Sequence, residues 1–411
     1  MSIINNSAKY ILVYFLIALN SMPFWVGDIY FYVFLTVACI IFLFQNFKID
    51  EKIYHYILLF SIIMIFQIII FRVPPSGFLT LFSYIAKILY AYTTIKIVGP
   101  EIDNYYIKIM YVFTIISLFL FSFQLLAPGI SFNLFDKLYD FIFHFQLKDP
   151  GRKHIIIYTY GAYYEHLGQQ ISRNSGPFWE PGGFGIYLLI ALYFNIVREN
   201  KFFNRKNIIF ILGIITTLST AIYIAFFAFL LTYVLYRYKH GAIFVYIVTI
   251  ILIIPIYTGL FFLQNKISDQ LSALNGNLEY APRNRFVSAM LDINEFIKEP
   301  VLGKGMFAQT RFQTVEKVDI QENWRNNGVT NMLVDFGIIG FVYFWFNMYK
   351  SSKLYCKMHN HKKSLAFIFL IIMFLSGMSQ QIFIKPFFIG LSFMFLINFK
   401  NTSRYSRTIK I

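Results

Sequence analysis

Residues 53–71 read IYHYILLFSIIMIFQIIIF, a run without a single Asp, Glu, Lys or Arg. Crossing the hydrocarbon core of a bilayer takes about 20 apolar residues as a helix, because each backbone amide must be satisfied within the segment itself. One run of this kind would mark an anchor; here comparable runs recur along all 411 residues. Hydrophobic residues make up 58% of the chain and charged residues 14%, where a soluble domain carries about a quarter charged. The soluble globular class is therefore excluded. The expected fold is all-α, a polytopic integral membrane protein forming a single membrane domain over 1–411.

Twelve spans are expected, near 8–26, 29–47, 53–71, 78–97, 106–127, 183–197, 207–219, 220–236, 241–263, 328–348, 364–384 and 386–399. The seventh and eighth are short and meet at Thr217-Leu218-Ser219-Thr220, which predicts a tight hairpin. Two long loops remain, 128–182 and 264–327. With the N-terminus inside, the inner segments hold 20 Lys and Arg, including Lys350, Lys353, Lys357, Lys362 and Lys363, while the short outer turns hold only Arg72 and Lys385. By the positive-inside rule both termini are cytoplasmic and both long loops face outward. Over half of the basic residues follow from topology, so the net charge of +16 does not call for nucleic acid.

Cys39 in a span and Cys356 in an inner loop predict no disulfide. The first apolar run leads into Ser21-Met22-Pro23-Phe24-Trp25 without a small-x-small cleavage site. No metal-ligand spacing, phosphate-binding glycine loop, internal repeat or nucleotide-binding domain is present, which excludes an ATP-driven pump on this chain alone. No cofactor and no metal are expected.

The first outer loop opens on an amphipathic stretch. Phe132, Phe135, Leu138, Tyr139, Ile142 and Phe145 recur at helical spacing opposite Asn133, Asp136, Lys137, Asp140 and His144, with Ser131 as N-cap. Such a helix either lies flat in the membrane interface or packs on the protein's own outer face. Arg152-Lys153-His154 and a tyrosine-rich run follow: Tyr158, Tyr160, Tyr163 and Tyr164, with Glu165 and His166 beside it. Tyrosines at this level are interfacial anchors or ring platforms and hydroxyl donors for sugars.

The loop ends on Arg173-Asn174-Ser175-Gly176-Pro177-Phe178-Trp179-Glu180-Pro181-Gly182-Gly183-Phe184. Glu180-Pro181 reads as a helix start, with proline tolerated at the first position and a carboxylate favoured by the dipole. That account leaves Arg173 unexplained. An ionisable pair at a membrane face is costly to keep and marks a candidate site.

In the second outer loop, Pro282-Arg283-Asn284-Arg285-Phe286 opens a helical pattern running to Glu299, and Pro300-Val301-Leu302-Gly303-Lys304-Gly305 ends it. Phe286, Met290, Ile293 and Ile297 share one face; Arg285, Ser288, Asp292 and Glu295 share the other. An arginine at a helix N-terminus opposes the dipole unless an anion sits there, so Arg285 and Arg283 are phosphate-ligand candidates. The loops' basic residues form either a solvated or lipid-facing surface or a field for an anionic substrate. Lys87, inside the fourth span, pairs within the bundle or lines a cavity.

Three motifs stand in order: Arg173-x-x-Gly176-x-Phe178-x-Glu180-Pro181; Arg285 ahead of Pro300 and Gly303-Lys304-Gly305; and Asn326-Asn327 ahead of Asp335-Phe336-Gly337-Ile338-Ile339-Gly340. Together with two outer loops among many spans, this order resembles the O-antigen polymerase and ligase superfamily of bacterial inner-membrane glycan assembly. The resemblance covers about 170–345 by motif. It implies glycosyl transfer at the periplasmic face of the inner membrane, from a glycan held on undecaprenyl diphosphate. Polymerases pass the chain to a new lipid-linked repeat unit, and ligases pass it to lipid A-core. Ligases carry a histidine where this chain has Asn326, which favours the polymerase reading.

The resemblance assigns Arg173 and Arg285 to the diphosphate, with Glu180 as base or acceptor-hydroxyl orienter; Arg283, Arg152, Tyr160 and Asn327 complete the expected substrate contacts. Arginine suits this role because it is always charged and meets phosphate oxygens bidentately. The expected partners are the lipid-linked glycan, membrane lipid, and a chain-length regulator and flippase of the same pathway, with no nucleic acid. A lipid-linked oligosaccharide flippase is the rival of another class. Against it stand the missing repeat symmetry, the lack of paired broken helices, and the concentration of polar residues in outer loops.

Overall fold

The computed structural model describes residues 5–19, 21–25, 27–142, 152–166, 169–237, 285–311 and 325–397. The chain begins with α1 (Asn6–Ala18), a single 3-10 turn over Pro23–Trp25, α2 (Asp28–Phe44), α3 (Glu51–Ile70), α4 (Ser76–Val98) and α5 (Ile102–Leu126). The first outer loop holds α6 (Pro128–Ile142) and four strands, β1 (Lys153–Ile155), β2 (Tyr158–Tyr160), β3 (Tyr163–His166) and β4 (Gln169–Ser172). Then come α7 (Pro181–Glu199), α8 (Arg205–Thr216), α9 (Thr220–Arg237), α10 (Arg285–Lys298), α11 (Ala308–Arg311), α12 (Gly328–Met358), α13 (Ser364–Gly377) and α14 (Pro386–Leu391). The expected span at 241–263 and the candidate Arg283 lie outside the described residues.

Among the described residues, six helices are long and apolar enough to cross a membrane: α3, α4, α5, α7, α9 and α12. α1, α2 and α13 are apolar but shorter. The hairpin turn expected at 217–220 is present, with Thr217 capping α8 and Leu218 in the left-handed region.

The first loop departs from a purely helical reading. β1 pairs antiparallel with β2, with Lys153 opposite Tyr160, and β3 pairs antiparallel with β4, with Tyr163 opposite Ser172. β-Branched and aromatic side chains favour an extended, half-buried backbone, and His154-Ile155-Ile156-Ile157-Tyr158-Thr159-Tyr160 consists largely of them. Helix α6 starts at Pro128, ahead of the expected cap; Ser131 is buried inside it and donates its hydroxyl back to the Pro128 carbonyl at 2.9 Å. One face of α6 packs Phe135 and Tyr139 inward, and Phe135 stacks on Tyr160 at 5.2 Å.

Two compact units divide the chain. The first comprises 1–46 and 93–223 and the second 47–92 and 224–411. The centre of the first unit is α7, hydrophobic on all sides and buried over 89% of its apolar window, as befits a helix surrounded by protein. Gly185 lets it approach closely, since a Cβ there would come within 2.7 Å of Ile222. Arg198, at the far end, pairs with Glu101 at 2.9 Å and with buried Asp103 at 3.0 Å.

In the second unit α12 is discontinuous. Gly337 sits at φ 61°, ψ −173° and interrupts the helical hydrogen bonds. The Pro300–Gly305 turn fills the interruption. The Ile338 amide donates to the Pro300 carbonyl at 2.9 Å, and the Lys304 amide donates to the Val334 carbonyl at 2.7 Å. From α3, the Gln67 amide nitrogen donates to the Asp335 and Leu302 carbonyls at 2.9 and 2.6 Å. Groups freed by the break are thus satisfied again inside the protein, which an apolar environment demands. A Cβ on Gly337 would lie 2.2 Å from the Val301 carbonyl oxygen. Gly337→Ala is therefore expected to cost more than about 2 kcal/mol, from strain and overpacking together. Gly99→Ala, at positive φ but facing open space, should cost only about 1 kcal/mol. Thermal unfolding in detergent checks the contrast; equal shifts would refute the packed-break account.

Candidate functional site

In the first unit the Arg173–Glu180 stretch is a tied-down loop. Asn174 through Phe178 are buried, and the two charged residues at its ends are half-buried. The Asn174 side-chain amide nitrogen donates to the Thr216 hydroxyl at 3.0 Å and the Ser117 hydroxyl at 3.3 Å, and its oxygen accepts from the Gly176 amide at 2.9 Å. Gly176 lies at φ 52°, where a Cβ would meet the Phe184 ring at 2.9 Å. Its carbonyl accepts from the Thr159 amide at 2.7 Å, so β2 braces the loop. The Arg173 Nε donates to the Thr217 carbonyl at 3.1 Å. Glu180 is the N-cap of α7 in extended conformation, and its side chain makes no capping hydrogen bond.

Beside this loop, the Arg152 guanidinium donates to the Trp179 carbonyl at 2.8 Å, and the His154 ring stacks on the Trp179 indole at 5.0 Å. Trp179 remains 46% exposed, whereas Tyr158 and Tyr160 are buried against Phe121, Phe135 and Ile155. The accessible rings here include the indole and Tyr163, the latter 38% exposed. Tyr160, expected as a substrate contact, packs in this apolar cluster. Arg152, Arg173, Trp179 and Glu180 belong to one braced segment with cationic, aromatic and carboxylate groups.

In the second unit α10 is turned inside out for a soluble helix. Its polar face is buried, with Ser288, Asp292 and Glu295 nearly inaccessible, while Met290, Ile293 and Ile297 are 54%, 44% and 66% exposed. The buried face is stabilised by two arginines from beyond the Pro300–Gly305 turn. Arg311 donates to Asp292 at 2.8 Å, forms an ion pair with Glu295 at 3.1 Å, and also pairs with Asp335 of α12. Arg325 reaches Glu295 at 3.2 Å and Asp292 at 3.4 Å. The Thr330 hydroxyl donates to Asp292 at 2.7 Å. Three carboxylates face two guanidinium groups, so this cluster does not offer an unengaged cation to a phosphate.

Arg285 is half-buried at the first position of α10. The side chain of Asn327 is occupied as the N-cap of α12, its oxygen accepting from the Val329 and Thr330 amides at 3.1 Å. Lys87 is half-buried on α4. Arg173 and Arg285 belong to different units. The arginine–carboxylate cluster escaped sequence reading, which registered Arg311 and Arg325 only as loop charge. One available signal was the Asp292/Glu295 pair on the polar face of a helix within a basic loop. Among the described residues no group of three or more His, Cys, Asp or Glu is arranged to hold a metal ion.

Burial pushes the Asp292 carboxyl up from 3.8 to about 6, against the pull of Arg311, the Thr330 hydroxyl and Arg325. The folded state therefore keeps this proton to higher pH than the unfolded chain. The group's contribution to stability falls as pH rises from near 4 to near 6 and is flat above that. Asp292→Asn should remove this slope from a pH series of unfolding midpoints; an unaltered slope would refute the assignment. Arg311→Met leaves buried carboxylates under-compensated and should cost about 3–5 kcal/mol. No protein-family model matches this chain, and no curated protein sequence is significantly similar to it.

Proposed function

We propose that this chain is a glycosyltransferase that polymerises undecaprenyl-diphosphate-linked oligosaccharide repeat units, building O-antigen or a related surface polysaccharide. In this reading it is a multi-pass protein of the bacterial inner membrane with both termini cytoplasmic, and the reaction runs at the periplasmic face. The observation that carries it is the braced Arg173–Glu180 loop, whose buried interior sets an arginine and a carboxylate at the opening of a fully packed helix. Catalytic groups held on a rigid support need no reorganisation as charge develops.

The acceptor hydroxyl attacks the anomeric carbon of the donor as the bond to the diphosphate oxygen breaks. Glu180 accepts the hydroxyl proton, and Arg173 stabilises the charge left on the departing lipid diphosphate; Arg285 is the second residue this reading assigns to a diphosphate. Arg152 and the Trp179 indole contact the sugars. One stabilising donor of this kind is worth about 10²–10³ in rate and a general base about 10²–10⁴. The lipid diphosphate is itself the activated donor, so the scheme needs no nucleotide sugar, and arginine charge takes the place of a metal. Asn326, where ligases carry histidine, sets the polymerase ahead of transfer to lipid A-core.

The discontinuity of α12 favours a second reading, a lipid-linked oligosaccharide flippase, because transporters build sites on broken helices near the midplane. The break is filled by the Pro300–Gly305 turn and by Gln67 of α3. Backbone groups already engaged in this way favour a loop anchor over a translocation site.

Reconstitution with the undecaprenyl-diphosphate repeat unit alone should yield a ladder of lipid-linked oligomers. No glycan change, even with lipid A-core added, would overturn the enzyme reading. Glu180→Gln should retain donor binding and lose about 10²-fold or more in kcat, and Arg285→Lys should lose most turnover because a point charge does not replace the bidentate fork. Trp179→Ala should raise KM for the glycan roughly 3–10-fold with kcat nearly unchanged. Unchanged polymer yield in Arg285→Lys would refute that residue's role.

A further inference from the structure

The Met358 end of α12 carries a pocket of about 380 Å³ lined by Lys350, Lys353, Lys357, His361 and Lys363, with Leu354 and Leu396 as apolar walls. No carboxylate is among its described lining residues. Topology alone explains lysines at this end of a span, but it does not explain their arrangement. Lys350, Lys353 and Lys357 recur at three- and four-residue spacing, and the same helical stripe continues upward through Phe346, Val342 and Ile339. Those three are 53%, 54% and 42% exposed. One face of α12 thus changes from apolar to basic along its axis. The Lys350 ammonium lies 4.0 Å over the Phe346 ring centroid, at the junction of the two parts.

At 1.5 Å per residue, Ile339 to Lys350 spans about 16 Å, close to the depth of one leaflet's hydrocarbon. The far wall is set by the chain reversal after α12, where the His361 amide donates to the Cys356 carbonyl at 2.8 Å. From these dimensions and charges we propose that this pocket binds the phosphodiester headgroup of an anionic lipid, with its acyl chains along Ile339, Val342 and Phe346. Lysine ammonium groups beside a membrane attract anionic headgroups, and their aliphatic stems cover apolar surface while the charge stays at the interface. The inference rests on α12 spanning the membrane and does not depend on the proposed glycosyl transfer.

The test is native mass spectrometry of protein exchanged into micelles with equimolar phosphatidylglycerol and phosphatidylcholine of identical acyl chains. The wild-type chain should retain phosphatidylglycerol with about tenfold preference or more. The triple variant Lys350→Gln, Lys353→Gln, Lys357→Gln should fall towards parity, and the corresponding triple change to Arg should keep the preference. Parity in the wild type, or undiminished preference in the glutamine variant, would overturn the proposal. Displacement of the lipid by 10 mM inorganic phosphate, at about ten times a typical 1 mM affinity, would mark a soluble-phosphate site and overturn it as well. All three residues lie on the exposed face, so an unfolding midpoint matching the wild type verifies that the glutamine variant is folded. If it is not, the single change Lys353→Gln supplies the same reading with a partial loss expected.

Discussion

Polar groups that leave water inside an apolar helical assembly must find partners within the protein, because an unpaired one costs several kcal/mol. This constraint accounts for the parts of the structure that are not plain apolar helix. Where α12 breaks at Gly337, the Pro300–Gly305 turn and the Gln67 amide take over the freed hydrogen bonds. Where the first loop meets α8, Asn174 uses both ends of its amide to bind Ser117, Thr216 and Gly176. Glycine is required at Gly176 and Gly337 because positive φ coincides with close approach of a ring or a carbonyl.

The same constraint explains the inverted helix α10. A carboxylate-bearing face would ordinarily turn to water. Here Arg311 and Arg325 meet it inside the unit, and Met290, Ile293 and Ile297 are left on the outside. Buried ion pairs of this kind contribute little net stability relative to apolar packing but are costly to break one-sidedly. Arg311 joins α10, α11 and α12 through three carboxylates and so determines where the end of the second loop sits against the broken helix.

The functional reading draws on a different property of the same architecture. A loop whose middle is buried and hydrogen-bonded holds its terminal charges at defined positions, and Arg173 and Glu180 are those charges. The proposed diphosphate chemistry needs fixed guanidinium groups and a fixed base, because the leaving group departs readily once its charge is met. Within the second unit the guanidiniums of Arg311 and Arg325 are engaged by carboxylates and act as structure. Trp179 is exposed and backed by the His154 ring, whereas Tyr158 and Tyr160 are buried.

The sequence by itself determined the mostly helical class with long apolar helices, most helix positions, the hairpin at Thr217–Thr220 and the helix start at Pro181. These follow from local hydropathy, proline geometry and periodicity, which act within a few turns of chain. It also marked the Arg173–Glu180 segment, because its charges and turn residues are adjacent. Tertiary structure decided what depends on partners far along the chain. The β-hairpins were not read from the sequence, since short strands need an opposing strand and a packing face to form. The break at Gly337 is stable because residues from 67 and 300–304 fill it, and no local pattern encodes that meeting. Which face of α10 is buried was decided by Arg311 and Arg325, whose charges outweighed the ordinary preference for apolar burial by supplying matched partners.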